Sequence, residues 1–319
     1  MDKLLEIKNL KVYFYSNGGI TKVIDEVSLD IKRGEFFAVV GESGCGKTML
    51  ALSILNLVPS PGRIVEGNIV FEGKELINFS ERDWQSLRGK DIAMVFQEPL
   101  TSLNPVLSVG TQIVEMLVFH LKMDKREARL RAIDSLRNVG FDQPEVLLDS
   151  YPHQLSGGMR QRAMIAMSLC CNPKLLILDE PTTALDTTIQ AQILELIFRI
   201  KREFQLTSLF ITHDLAIVEE IADRVGIMYL GKIVETGKVE EIFQNPKHPY
   251  TQKLLACFPE LSKPKTFLNA IPGQVPDILN RPLGCPFHPR CEKRVGICDK
   301  EFPETSEITE SHWVWCHNF

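Results

Sequence analysis

The sequence lacks any long apolar run. In its 319 residues the longest wholly apolar stretches are about five residues, as at positions 36–40. A membrane-spanning helix needs about 20 such residues, so we expect no segment of this chain to cross a bilayer. The first ten residues, MDKLLEIKNL, also lack an apolar core followed by a cleavage site. We therefore expect no secretory signal.

An excess of positive charge is also missing. The formal net charge is −5 at pH 7, which argues against a nucleic-acid backbone as the main partner, and we expect no nucleic-acid binding. Hydrophobic residues make up 44% of the chain and charged residues 24%, which is the composition of a globular protein with a large core. The length favours about two domains.

Cysteine is abundant, although disulfides are not expected. A chain without a secretion signal belongs in a reducing compartment, where disulfides are rare. Four of the eight cysteines fall within the last 35 residues: Cys285, Cys291, Cys298 and Cys316. Their spacing, C-x5-C-x6-C-x17-C, is wider than the pairs typical of structural zinc sites, whereas a cubane cluster accepts wider spacing. We therefore expect a [4Fe–4S] cluster, with Zn²⁺ or no metal as the alternatives. His288, His312 and His317 are less economical ligands.

Strand patterns alternate with helical patterns along most of the chain. Residues 4–14 and 23–31 alternate apolar and polar side chains, as half-buried strands do, and the glycines at 18–19 suggest a turn between them. Continuous apolar runs at 36–40, 175–178 and 208–211 predict strands that are buried on both faces, and residues 189–204 predict a helix. This order is typical of an α/β domain with a mainly parallel sheet.

Residues 41–48 read GESGCGKT and match G-x-x-x-x-G-K-[ST], between the apolar run 36–40 and the helical pattern of residues 49–57. The glycines let successive N–H groups point at one anion, and the helix start adds its dipole. The pattern predicts a phosphate-binding loop in which Lys47 reaches the β- and γ-phosphates and the Thr48 hydroxyl binds Mg²⁺. The other residues that we assign to this nucleotide site are Gly41, Ser43, Gly44, Cys45, Gly46 and Met49. Cys45 is either a small residue that the loop tolerates or a reactive thiol.

The apolar run 175–178 ends in two carboxylates, at the edge where α/β sheets bind ligands. Asp179 suits the Mg²⁺ shell, and Glu180 suits a base that polarises the attacking water. His213 follows the run 208–211 and can hydrogen-bond a γ-phosphate oxygen. Gln97, which follows an apolar stretch at 93–96, can contact Mg²⁺ or the water.

Residues 155–158 (LSGG) precede a helical pattern at 162–170. Ser156, Gly157 and Gly158 make a second helix start suited to an anion. One nucleotide needs only one such cradle, so the second is explained if it faces a nucleotide held by another subunit. The alternative is a helix start that is merely capped.

Together these motifs resemble the ATP-binding cassette (ABC) ATPases. The loop 41–48, Gln97, LSGG at 155–158, LLILDE at 175–180, TALD at 183–186 and His213 occur in that family's order. The resemblance covers roughly residues 4–250. It implies a P-loop NTPase fold with a mainly parallel sheet core, an N-terminal antiparallel β part and a helical subdomain at about 98–165.

The same resemblance implies two cassettes that close head to tail around two ATP molecules. Each ATP then lies between the phosphate loop of one cassette and the LSGG of the other. Phe14 is the aromatic that best fits stacking on adenine, with Tyr13 and Tyr15 as neighbours that remain open. Asp186 would lie at the dimer seam, and Gln97 would couple to a membrane subunit.

The end of the chain narrows the resemblance. HPYT at 248–251, IPGQ at 271–274 and GCPFHPRC at 284–291 resemble the C-terminal extension of dipeptide, oligopeptide and nickel importer ATPases, for which a [4Fe–4S] site is also implied. We therefore divide the chain into a nucleotide-binding domain (1–255) and a small, irregular, metal-binding extension (256–319). The implied partners are two transmembrane permease subunits, a second ATPase subunit and, indirectly, an external substrate-binding protein.

The sequence thus predicts a Mg²⁺-dependent ATPase that powers import of dipeptides or oligopeptides from the cytoplasmic face of the cell membrane, where it is peripheral. A nickel importer ATPase of the same family and a soluble ABC ATPase without a transport function are the alternatives. A third possibility is a metal-dependent nucleic-acid or redox module with an accessory ATPase.

Overall fold

The computed structural model describes residues 2–16, 18–98, 102–183, 185–257 and 271–319. The chain divides into two compact units, the first comprising Met1–Ile77 and Ile211–Phe319 and the second Asn78–Phe210. The division predicted between residues 255 and 256 stays a prediction. Parts of three predicted segments, residues 99–101, 184 and 258–270, lie outside the described residues.

The strands, in chain order, are β1 (Lys3–Ser16), β2 (Gly19–Lys32), β3 (Phe36–Val40), β4 (Gly62–Phe71), β5 (Lys74–Glu75), β6 (Ile92–Val95), β7 (Leu175–Asp179), β8 (Thr207–Thr212), β9 (Arg224–Tyr229), β10 (Lys232–Lys238), β11 (Thr305–Thr309) and β12 (His312–Trp315). The described α-helices are α1 (Lys47–Ile54), α2 (Glu81–Leu87), α3 (Val109–Leu121), α4 (Lys125–Asn138), α5 (Pro144–Leu148), α6 (Gly157–Leu169), α7 (Thr187–Phe204), α8 (Leu215–Ile221), α9 (Val239–Gln244) and α10 (Pro249–Ala256).

The N-terminal strands form an antiparallel sheet of order β2-β1-β4-β5 in the first unit. The two strands and the turn expected at the N-terminus are present. Where β1 bulges against β4, Gly67 has φ 100°, and a Cβ there would lie 2.5 Å from the Cα of Leu10. Only glycine fits both the left-handed backbone and the close approach of the strands.

The other strands of the first unit follow the order β11-β12-β10-β9-β3, in which β3 and β9 are parallel and the remaining pairs are antiparallel. The prediction of a mainly parallel core is therefore wrong for this unit, because the sheet is mixed. Residues 230–231 alone connect β9 to β10, and a connection this short permits only an antiparallel pair.

The C-terminal extension is less irregular than predicted. Its strands β11 and β12 form a hairpin, and β12 pairs with β10. In β12, Val314 is fully buried whereas Trp313 and Trp315 are only partly buried. This alternation is that of a strand with one face on a core, and it is too short a run to stand out in the sequence.

The second unit contains helices α2 to α7 and the parallel pair β6 and β7, and β8 begins in it and ends in the first unit. Helices α3, α4 and α5 lie inside the segment predicted as a helical subdomain, and α6 begins there. The helix predicted over residues 189–204 is confirmed as α7, which buries Ile193, Leu196, Ile197 and Ile200.

Helix α1 ends at Ile54, three residues earlier than the pattern predicted. Asn56 takes a left-handed φ of 51°, and the Leu57 N–H then bonds the carbonyl of Leu52 at 2.8 Å. This arrangement closes the helix, because asparagine is one of the few residues that adopts the left-handed conformation at low cost. Leu57 therefore continues the apolar pattern without continuing the helix.

Within the described ranges, every helix is too short or too polar to span a membrane.

Candidate functional site

The loop 41–46 joins β3 directly to α1, as the motif predicted. Gly44 and Gly46 have φ values of 76° and 108°, which favour glycine. A Cβ at Gly41 would collide with the carbonyl oxygen of Met228 on β9 and lie 2.8 Å from the sulfur of Cys45. The loop therefore excludes side chains at three positions, and this brings its backbone N–H groups close to any bound anion.

Lys47 lies across the loop that it follows. Its ammonium donates hydrogen bonds to the carbonyl oxygens of Gly41 at 2.8 Å and Glu42 at 3.2 Å, and the residue is only 5% exposed. Ser43 is exposed on this loop, and Thr48 is exposed in the first turn of α1. The arrangement places a buried cation beside exposed hydroxyl groups, which is suited to a phosphate group.

Cys45 faces the interior of the loop. The residue is 3% exposed, and its sulfur lies 3.9 Å from the Lys47 ammonium. Burial raises the pKa of the Cys45 thiol despite that ammonium. A thiol with a raised pKa is a poor nucleophile at neutral pH, so the structure favours the interpretation of Cys45 as a small residue that fits the loop.

Glu180 is held in an uncommon backbone conformation in the second unit. It follows β7 with a φ of 43°, which is unusual for a residue other than glycine. Its Oε2 accepts hydrogen bonds from Thr183 Oγ1 at 2.8 Å and from Gln97 Nε2 at 3.3 Å. Gln97 and Glu180 each follow one strand of the parallel pair β6 and β7, and this explains why residues 83 positions apart meet.

Asp179, the last residue of β7, is 1% exposed. Thr183 was not assigned a role from the sequence, although it opens the TALD motif. Its spacing from Glu180 is the only sequence signal for the hydrogen bond between them. His213 is exposed in the first unit, directly after β8 and before Asp214, which caps α8.

The LSGG segment forms the start of α6. Ser156 is the N-cap, and its Oγ accepts a hydrogen bond from the Met159 N–H at 3.3 Å. A Cβ at Gly158 would lie 2.5 Å from Cγ2 of Ile189 on α7. At the start of α7, Asp186 accepts from the Ile189 N–H at 2.9 Å. The structure thus brings the predicted residues 156–158 and Asp186 together at two adjacent helix starts.

The candidate adenine-stacking residues lie on β1. A Cβ at Gly62 would lie 2.5 Å from the ring of Phe14. The Phe14 ring therefore packs against the backbone of β4. The Tyr15 ring lies under the Arg63 guanidinium at 4.3 Å. Tyr13 donates its hydroxyl hydrogen to Asp25 at 3.0 Å, and burial together with that carboxylate raises the pKa of Tyr13 to about 12.

The four C-terminal cysteines have free thiols. Burial raises the pKa of Cys285 to about 12 and also raises the pKa values of Cys291 and Cys316, and negative charge on the other cysteines adds to each rise. Among the described residues, however, no three or more His, Cys, Asp or Glu side chains are grouped to hold a metal ion. The structure therefore does not support the predicted metal-binding extension, and the [4Fe–4S] cluster and Zn²⁺ stay predictions.

The extension is nevertheless anchored in the core of the first unit. Phe287 packs edge-on against Tyr229 with ring centroids 5.3 Å apart, and Tyr229 lies 4.6 Å from Tyr250. Arg290, next to Cys291, forms an ion pair with Glu42 of the phosphate loop at 2.8 Å. Sequence reasoning missed Glu42, Tyr250 and Arg290, because nothing in the spacing joins positions 248 residues apart.

Comparison with known families supplies two matches. The family described as "ABC transporter" matches residues 24–183, and "Oligopeptide/dipeptide transporter, C-terminal region" matches residues 234–298. The first match contains the phosphate loop, the LSGG segment and the carboxylates after β7, and the second contains the three C-terminal motifs at 248–251, 271–274 and 284–291.

Full-length relatives agree with these matches. The oligopeptide transport ATP-binding protein AppD of Bacillus subtilis (strain 168) is 51% identical over 99% of this chain and 97% of its own length. The dipeptide transport ATP-binding protein DppD of Escherichia coli (strain K12) is 45% identical over 98% of this chain and 96% of its own length.

Solved structures include the dimeric ATP-binding cassette MJ0796 in a post-hydrolysis state bound to ADP and Pi. It matches with a TM-score of 0.65 and 27% identity, and the match covers 74% of this chain and 98% of that one. The cassette cbiO1 from Clostridium perfringens matches with a TM-score of 0.64 and 30% identity over 77% of this chain and 92% of that one.

Proposed function

Because this chain belongs to the ABC transporter ATPases that carry an oligopeptide/dipeptide transporter C-terminal region, we propose that it hydrolyses ATP to power peptide import through separate permease subunits. The observation that carries this proposal is similarity to peptide transport ATP-binding proteins along the cassette and the extension together. The names of these relatives do not favour nickel import or a soluble ATPase without a transport function.

The phosphate loop supports the proposed nucleotide site. Lys47 neutralises charge on the β- and γ-phosphates, and the backbone N–H groups of residues 41–46 hold their oxygens. Thr48 and Asp179 supply a hydroxyl and a carboxylate, the hard oxygen ligands that suit Mg²⁺. Bound Mg²⁺ would neutralise the charge that develops on the transferred phosphoryl group. Phe14 provides an aromatic face for adenine.

Glu180 is the proposed base for the attacking water. Hydrogen bonds from Thr183 and Gln97 fix the position of one carboxylate oxygen. The other oxygen then accepts a proton from the water as its oxygen attacks phosphorus. His213, exposed after β8, is assigned a hydrogen bond to the γ-phosphate, which would be lost on hydrolysis.

The LSGG segment supports a head-to-tail dimer. Its Ser156 and Met159 are exposed, although the loop is already shaped by its own cap. A preformed helix start on the surface suits a phosphate held by a second ATPase subunit, either a copy or a relative of this chain. We assign Asp186 to the same seam. The chain would then act at the inner face of the membrane, with Gln97 coupled to two permease subunits and a binding protein outside.

The cysteine cluster remains part of the proposal, supported by hydrogen bonds to sulfur. Backbone N–H groups bond Sγ of Cys298, from Val295, and of Cys316, from Asn318, both at 3.4 Å. Sulfur atoms that accept N–H bonds, as those of Cys298 and Cys316 do, suit the ligands of a [4Fe–4S] cluster.

Iron content tests this assignment. Protein prepared without oxygen should be brown and contain iron, and Cys291→Ser should lose both. Cys257→Ser, which changes a cysteine outside the four, should keep both. A colourless wild-type protein that contains zinc would contradict the cluster.

Uptake by cells tests the transport function. Cells in which this chain carries Glu180→Gln should lose uptake of labelled dipeptides or oligopeptides and keep uptake of Ni²⁺. The purified variant should retain ATP without turning it over. Cells with Glu203→Gln, an exposed glutamate on α7, serve as the matched control. Normal peptide uptake with lost Ni²⁺ uptake would overturn the proposed cargo.

A further inference from the structure

The C-terminal segments contact the phosphate loop at Glu42. Glu42 occupies one of the four unrestricted positions of the loop pattern, so the motif itself assigns it no role. Its carbonyl oxygen accepts a hydrogen bond from the Lys47 ammonium at 3.2 Å. A displacement of Glu42 would therefore also move one of the groups that fix the phosphate-binding lysine.

Arg290 binds the carboxylate of Glu42 with two parallel hydrogen bonds, from Nη1 to Oε2 at 2.8 Å and from Nη2 to Oε1 at 3.2 Å. Its other donors bond the Tyr229 hydroxyl at 3.2 Å and the carbonyl oxygens of Pro272 at 3.1 Å and Ile271 at 3.4 Å. These bonds use all five N–H groups of a guanidinium. A lysine offers three donors without the planar fork, so it cannot replace them all.

Tyr250 holds the main chain of the same residue. Its hydroxyl oxygen accepts a hydrogen bond from the Glu42 N–H at 3.0 Å. Tyr250 is fully buried and packs against Tyr229 and Phe287. Both the carboxylate and the N–H of Glu42 are thus bonded to residues beyond position 248, and each of those residues is itself fixed by the core.

The three C-terminal motifs meet at this point. Tyr250 belongs to the segment 248–251, Ile271 and Pro272 to 271–274, and Arg290 to 284–291. The last segment turns tightly between two cysteines: the His288 N–H bonds the Cys285 carbonyl at 3.0 Å, and the Cys291 N–H bonds the His288 carbonyl at 3.2 Å. The cysteine segment 284–291 therefore contains Arg290, the residue that binds Glu42 of the phosphate loop.

We propose that Arg290 is a positioning residue for the phosphate loop, which it holds through Glu42 in the conformation that accepts nucleotide phosphates. The C-terminal extension then contributes to nucleotide affinity without touching the nucleotide. This inference rests on the proposed role of residues 41–48 in binding ATP.

The affinity of the full-length protein for Mg·ATP tests the inference. Arg290→Gln should weaken binding about tenfold, roughly the value of one charge-assisted hydrogen bond. Arg290→Lys should recover part of the loss. Glu42→Gln should weaken binding, and the double variant should lose no more than Arg290→Gln alone, because both changes act through one contact.

Two other ion pairs of the first unit provide controls. Lys253 forms an ion pair with Glu292 of the extension, with Nζ and Oε1 2.6 Å apart, and this pair does not involve the phosphate loop. Glu292→Gln should therefore leave the affinity for Mg·ATP within about twofold of wild type. Arg224 and Glu35, 8% and 7% exposed and 3.2 Å apart, are buried as deeply as Arg290. Arg224→Gln should lower the Tm without a matching loss of affinity.

Three results would overturn the inference. They are a folded Arg290→Gln protein with wild-type affinity, additive losses in the double variant, or an equal loss of affinity in Arg224→Gln. Should Arg290→Gln fail to fold, Glu42→Gln decides, since the Glu42 side chain is 24% exposed and tolerates the change. Lys47→Ala separates the two proposals. If the Lys47→Ala protein binds ATP normally, the assignment of residues 41–48 as the ATP-binding loop fails. If Lys47→Ala loses binding while the Arg290 and Glu42 variants keep it, only the role of Arg290 fails.

Discussion

Two glycine-rich loops of this chain each begin a helix, and they prepare the helix start in opposite ways. Helix α1 follows Gly46, which has no side chain to cap it, so acceptors for its first N–H groups must come from the loop backbone or a ligand. Helix α6 follows Ser156, whose hydroxyl accepts one of these hydrogen bonds. The first loop suits an external anion, whereas the second has a stable start of its own.

The first loop is also more tightly packed by its neighbours than the second loop. Gly41 is enclosed by Met228 and Cys45, and Lys47 bonds across the loop. In the second loop Gly158 is crowded by the Ile189 side chain, but a Cβ at Gly157 would find its nearest neighbour, Leu185, at an ordinary 3.5 Å. A loop that holds phosphates by its own backbone has to be rigid before they arrive. A loop that meets a second subunit has only to present a finished surface.

The largest expected effect comes from the cation of the first loop. Lys47→Ala should reduce ATP hydrolysis about a thousandfold, because a buried charge that stabilises the transferred phosphoryl group is lost. Steady-state ATPase assays measure this. Lys125→Ala, at the exposed start of α4, is the control and should be unaffected. Hydrolysis within tenfold of wild type would remove Lys47 from its role.

A matched pair of alanines compares the packing of the two loops. Gly41→Ala should lower the free energy of unfolding by about 3 kcal/mol, since its Cβ collides with a carbonyl oxygen that belongs to a strand. Gly157→Ala places its Cβ at van der Waals distance and should cost less than about 1 kcal/mol. Denaturant unfolding gives both values. Equal losses would show that the loops do not differ in packing.

The start of a third helix, α10, makes the stability of the fold depend on pH. His248 caps α10, where its Nδ1 accepts the Tyr250 N–H at 3.0 Å, and burial lowers the pKa of His248 to about 4 although Glu235 opposes this. The unfolded state, with a pKa of about 6.5, binds the proton more readily. Stability from this group is therefore complete above about pH 6.5 and is lost as the pH falls toward 4.

Linkage makes this contribution about 2 kcal/mol between pH 8 and pH 5. His248→Asn, which keeps a capping group without a titrating ring, should flatten that part of the stability–pH curve. Unfolding measured at several pH values in both proteins isolates the effect from the other titrating groups. Parallel curves for variant and wild type would contradict the assignment.

The smallest expected effect concerns the cap of the second loop. Ser156→Ala should lower the free energy of unfolding by about 1 kcal/mol, the usual value of an N-cap, and Ser156→Asn should restore most of it. Thermal unfolding of the three proteins measures the difference. If alanine costs nothing, the hydroxyl does not stabilise α6, and the contrast with the uncapped start of α1 disappears.

The sequence predicted the parts of the site that are local in the chain. The order of strand, glycine loop and helix at residues 36–54 follows from an apolar run, three glycines and a lysine, all within 19 positions. The helix end was placed wrongly because Leu57 continues the apolar pattern, while Asn56 closes the helix. The strands β11 and β12 were missed because their alternation is too short a run to stand out, and the pairing of β12 with β10 joins residues far apart in sequence.

Residue chemistry and spacing by themselves determined the phosphate loop, the carboxylates after β7, the LSGG helix start and the family. These features depend on backbone angles and neighbours within a few residues, which a motif can specify. The tertiary structure alone decided that Gln97 meets Glu180, that Met228 makes glycine necessary at Gly41, and that Arg290 holds Glu42. Each of these contacts depends on strand pairing or core packing between distant segments, and only the folded chain brings such segments together.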